Sequence, residues 1–151
     1  MQILFTRSNS LLSRIIRGVT GEQVSHCALQ AGGFVVHCNL LGLHIEEARS
    51  FKQKSTVVYT IGIVDDYTRL FLLFATYRHS QYDFGALFYL GLRYLCPWLP
   101  KVNLWQTTGM FLCTEWISKY LRGEEYSMLT PSQLYTELFI QQYKQGQGEY
   151  T

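Results

Sequence analysis

The chain has 151 residues, enough for one domain with a substantial core, and 48% hydrophobic with 15% aromatic residues argues against disorder. A formal net charge of +2, with no block of like charges, excludes the basic stripe of a nucleic-acid binder. The longest apolar stretches, LFLLFATY and FGALFYLGL, are too short to span a bilayer, and MQILFTRSNSLLSRIIRG lacks the apolar core of a secretory signal. The expectation is therefore a soluble protein, cytoplasmic as synthesised, with no transmembrane segment.

In chain order, QILFT (2–6) reads as a short strand. SNSLLSRIIRG offers Ser and Asn caps, a brief apolar-periodic helix and Gly18 as its stop. VSHCALQ and FVVHCN read as two strands around an Ala-Gly-Gly turn at 31–33, and GLHIEE and STVVYTIGIV continue the strand pattern. From Asp65 the period becomes helical, with a capped helix at about 66–79 and a second in YDFGALFYLGLRYL, stopped by CPWLP. FLCTEWISKYLRG is a third helix with Gly123 as its C-cap. TPSQLYTELFIQQY places Thr130 at an N-cap and Pro131 at the first helical position, and the polar tail from about Gln145 is expected to fray. A strand half followed by a helical half, with no repeat or linker, predicts a single α+β domain over 1–151.

The cysteines are Cys27, Cys38, Cys96 and Cys113, and none forms a C-x-x-C pair, so free thiols are the default. Side chains alternate along a strand, so His26 and Cys27 point to opposite faces, as do His37 and Cys38. Pairing around Gly32-Gly33 then places both histidines on one face and both cysteines, as small buried hydrophobes, on the other. Cys113 begins an apolar-periodic helix whose buried stripe is Trp116, Ile117, Tyr120 and Leu121. A helix N-terminus presents unpaired N–H groups and a positive dipole end, which favour thiolate. Cys113 with His26 and His37 supplies a nucleophile, a base and an orienting group, although four Cys and four His offer several other triplets.

The motif order adds more. VSHCAL at 24–29 precedes FLCTEWISKYL at 111–121, with FVVHC, IEEA and QYDFGALFYLGL between them. In this order the chain resembles the circularly permuted branch of the NlpC/P60 superfamily of papain-like cysteine hydrolases over roughly residues 2–140. CTEW followed by TPSQLYTEL is similar to small phage-encoded members, which would make the protein virion-associated. The resemblance implies a permuted papain-like α+β fold, with an antiparallel sheet packed on helices and the nucleophile at a helix N-terminus. It implies Cys113 as nucleophile, His26 as general base and His37 as the orienting residue. Tyr82 is a candidate substrate- or oxyanion-side group, and equally an ordinary tyrosine of an amphipathic helix. Asp83 reads as a helix cap, Glu115 as a solvated residue, and His44 and His79 as surface residues without a role.

The implied reaction is attack of a thiolate on an amide carbonyl through a thioester, with no metal or organic cofactor, most commonly in peptidoglycan stem peptides. Two other readings stand beside it: lipid acyl hydrolysis or transfer of the lecithin-retinol-acyltransferase type, at a membrane surface, and a non-catalytic structural or binding module of a phage particle. A fourth reading has His26, His37 and Cys113 as three zinc ligands.

Overall fold

In a computed structural model, which describes residues 1–100, 110–123 and 129–148, the apolar runs of the first half pair into one antiparallel sheet. Its strands are β1 (Gln2–Arg7), β2 (His26–Ala31), β3 (Phe34–Asn39), β4 (Gly42–Glu47) and β5 (Thr56–Gly62), in the order β4-β3-β2-β1-β5. The period-two pattern gives two apolar faces. Ile3, Phe5, Cys27, Leu29, Val36 and Cys38 enter the main core, while Leu4, Ala28 and Val35 enter a smaller one. The β2–β3 turn needs Gly32 in the left-handed region, at φ 57°.

The helices follow from caps and faces. α1 (Leu11–Thr20) starts at Ser10, whose hydroxyl accepts from the Ser13 N–H. It runs straight through Gly18, the expected stop. The chain turns instead at Gly21, which takes the left-handed conformation and donates its N–H to the Arg17 carbonyl. α2 (Ala48–Lys54) has no counterpart in the sequence reading. It is two turns long, lacks a side-chain N-cap, and is held by Ala48 and Phe51 against the smaller core.

α3 (Tyr67–Tyr77) and α4 (Phe84–Leu95) start as expected, at Asp66 and Asp83, whose carboxylates accept first-turn N–H groups at 2.8 and 2.7 Å. α5 (Cys113–Arg122) closes at a left-handed Gly123, also as expected. α6 (Pro131–Gly148) opens on a reciprocal cap. Thr130 Oγ1 accepts from the Gln133 N–H at 3.2 Å, and Gln133 Oε1 accepts from the Thr130 N–H at 3.0 Å. The helix continues past Gln145, where fraying was expected, to Gly148.

Two further strands, β6 (Gln81–Tyr82) and β7 (Met110–Phe111), pair in parallel and are too short to leave a periodic signal. The fold is α+β, with an antiparallel main sheet and six helices among the described residues. No helix among them is long and apolar enough to cross a membrane.

Candidate active site

The sheet is split where the site forms. β1 and β2 pair from Gln2–Gln30 to Thr6–His26, and β3 and β4 pair from Phe34–Glu47 to Asn39–Gly42. Between β2 and β3 the ladder covers only Ala31–Phe34 to Leu29–Val36 and then stops. Beyond Leu29 the strands part, and the N-terminus of α5 reaches the gap. Cys113 meets Cys27 and His26 there, and the Cys38 thiol donates to the Phe111 carbonyl at 3.2 Å. On the β2 side the strand end is anchored by Ser25, whose N–H donates to the Thr6 carbonyl and whose hydroxyl meets Ser13 at 2.6 Å.

Cys113 is buried at the first position of α5. Its thiol is held well below its ordinary pKa. The largest cause is a hydrogen bond from the Cys27 thiol; the charge of His26, a hydrogen bond with it, and the Cys27 backbone add to this, while burial alone opposes it. Cys27 moves the other way: burial first, then the hydrogen bond and charge of Cys113, push it well above its ordinary value. Cys38 is raised as well, by burial and then by the charges of Cys113 and Glu115. Of the three thiols, Cys113 is thus the one shifted toward the thiolate, and Cys27 and Cys38 are shifted toward the thiol. Cys27 is fully buried, as expected, and its thiol also interacts with Cys113, which the sequence reading did not foresee.

The histidines lie together on the face expected. His26 Nε2 is 3.0 Å from His37 Nδ1, and both rings pack on Phe51 of α2. The series continues to a residue that sequence reasoning gave no role: Glu46 Oε1 lies 3.0 Å from His37 Nε2. The second Glu46 oxygen accepts from Lys54 Nζ at 2.7 Å and from Ser50 Oγ at 3.4 Å. His37 is lowered from 6.5 to about 2, by burial first and then by the positive charges of His26, His44 and Lys54, so it is a neutral imidazole. The signal for Glu46 was period-two alternation: it stands opposite Val35 in the register, on the face that His37 shares.

Tyr82 is buried beside this cluster, its phenol raised by burial first and then by the Cys113 charge, and its β6 strand pairs with β7 just before Cys113. Among the described residues its hydroxyl has no hydrogen-bond partner, and it lines a cavity of about 620 Å³ with Ser25, His26, His37 and Glu46. Cys113 is not on the cavity wall; its link to that wall is His26.

Three other expectations change. Glu115 is fully buried rather than solvated, and its carboxylate accepts the Leu112 N–H at 2.8 Å, fixing the start of α5. His44 is half-buried with its ring 4.2 Å from that of His37, whereas His79 is exposed as expected. The residues whose ligand atoms come within 4.8 Å of one another, among those described, are His37, His44 and Glu46, not the His26, His37 and Cys113 of the zinc reading. Lys54 already sets a positive charge on that Glu46, which opposes a cation there. Compared with known protein families, curated proteins and solved structures, the chain matches none.

Proposed function

We propose that the chain is a cysteine hydrolase of the permuted papain-like (NlpC/P60) type, with Cys113 as nucleophile, His26 as general base and His37 as its orienting partner. The observation that carries this reading is that His26 interacts with Cys113, at the first position of a helix, while its Nε2 lies 3.0 Å from His37 Nδ1. His26 takes the thiol proton and the sulfur attacks a carbonyl carbon. Backbone N–H groups at Cys113 and Thr114, in the first turn of α5, receive the oxyanion, with the Tyr82 hydroxyl nearby. His26 then protonates the leaving amine or alkoxide, and a thioester remains. Water, deprotonated by the same imidazole, hydrolyses it and frees the thiol. No step calls on a metal or organic cofactor.

The test is labelling with iodoacetamide followed by mapping of the modified residue. Cys113 is expected to react first by a wide margin over Cys96; alkylation no faster than that of Cys96 would fit an inert structural module and sink the enzymatic reading.

For the substrate, the family resemblance points to the amide bonds of peptidoglycan stem peptides, and to association with a virion if the protein is phage-encoded. A lipid acyl substrate has an observation of its own in its favour. Leu12 and Ile16 of α1 line both the His26 cavity and an adjoining groove of about 470 Å³, walled by Ile15, Val19, Phe84, Phe88 and Leu95. A chain lying there gains roughly fourfold in kcat/KM per buried methylene. Purified peptidoglycan and a p-nitrophenyl ester series from acetate to decanoate separate the two: a rise along the series supports the acyl substrate, and a flat series with release of stem peptide supports the peptide.

A further inference from the structure

An imidazole serves Cys113 as a base only through an unprotonated nitrogen, so the tautomer of His26 decides whether the site works. Glu46 fixes it at a distance. An ionised carboxylate only accepts, so Glu46 Oε1 at 3.0 Å requires the proton of His37 to sit on Nε2. A neutral His37 then has its lone pair on Nδ1. That atom is 3.0 Å from His26 Nε2, which must be the donor. The remaining nitrogen of His26, Nδ1, is left bare for the Cys113 proton.

We propose that Glu46 is a positioning residue which, through His37, holds His26 in the one neutral tautomer able to deprotonate Cys113. This rests on the function proposed above. The fold supplies what such a role needs. Glu46 is only 16% exposed, and Ser50 Oγ and Lys54 Nζ occupy its Oε2, leaving Oε1 for His37. The buried, neutral state of His37 agrees with this arrangement. Without Glu46, His37 is free to carry its proton on Nδ1 and donate to His26 Nε2. The His26 proton then moves to Nδ1, where it faces the sulfur, and the base is lost. Once His26 has taken the thiol proton, the imidazolium still donates through Nε2 to His37, with the Glu46 charge one residue further along.

Two measurements test this. Nitrogen-15 spectra of ring-labelled protein should show His37 protonated on Nε2 and bare on Nδ1, with His26 protonated on Nε2; His37 protonated on Nδ1 in the unmodified protein overturns the proposal, whatever the enzyme does. Alkylation of Cys113 by iodoacetamide gives the second readout. Glu46→Ala should slow it by roughly tenfold or more, because a wrong tautomer disables the base, whereas Glu46→Gln keeps an accepting oxygen and most of the rate. In a His37→Gln background the amide oxygen itself accepts from His26 Nε2–H, so adding Glu46→Ala should change the rate by less than about twofold. An equal slowing in that background would mean that Glu46 acts by holding α2 or β4 rather than through His37. Failure of every ester and amide substrate, with these tautomers intact, would count against the proposed function and leave the Glu46 assignment standing.

Discussion

Acidification should cost this protein stability through the titration of His37, by an amount the structure sets. The side chain is buried, and its protonated form is disfavoured first by that burial and then by His26, His44 and Lys54, lowering it from 6.5 to about 2. The unfolded chain takes up the proton near pH 6.5, and the folded chain does not until about pH 2. The contribution of His37 is therefore intact above pH 6.5 and is lost progressively as pH falls through that window. Each pH unit below 6.5 is worth about 1.4 kcal/mol, so between pH 7 and pH 4.5 the loss is roughly 3 kcal/mol. Against a total stability of about 5–15 kcal/mol, that is a large share. Urea unfolding of the unmodified protein and of His37→Gln at pH 7, 6, 5 and 4.5 reads the difference, since the other groups titrate in both. The unmodified protein should lose roughly 3 kcal/mol more than the variant. Parallel curves, or a relative gain on acidification, would show that Glu46 at 3.0 Å keeps His37 charged in the fold and would refute the reasoning.

Cys113 alkylation should persist at pH values where an ordinary thiol is silent; Cys27→Ala should shift that profile to higher pH at a cost of about 1 kcal/mol in stability, with Cys27→Ser restoring part of it, and an unmoved profile would assign Cys27 to packing alone. Cys113→Ala should abolish turnover and His26→Ala should be nearly as severe. His37→Ala should be milder, with more activity kept by His37→Gln, and full activity in His37→Ala would reduce the site to a Cys-His dyad. Because these groups act as a unit, kcat/KM of the His26→Ala/His37→Ala double variant should lie close to that of His26→Ala.

Much of this was legible in the sequence because it follows from short-range rules. Period-two alternation put His26 with His37, and cap chemistry placed the starts of α3, α4 and α6 at Asp66, Asp83 and Thr130. What the sequence did not reveal depends on tertiary geometry. α2 is a helix because Phe51 has a face to cover, not because ARSFKQK has a strong period or a cap. The parting of β2 from β3 has no local signature, so the interaction between Cys27 and Cys113 was invisible. Glu115 looks like any acidic residue in a first turn until the burial of the α5 N-terminus makes its hydrogen bond to Leu112 a structural requirement.

Cys27 and His26, which both lower the Cys113 thiol, come from β2, in the first part of the chain, while the sulfur arrives with α5 in the last. Before those segments meet, Cys113 is a thiol without a donor or a base beside it, with an ordinary affinity for its proton. Reactivity is thus switched on by long-range assembly, among the slower events of folding. A growing or unfolded chain stays chemically quiet, and the lowered thiol appears only once the two ends of the fold have met.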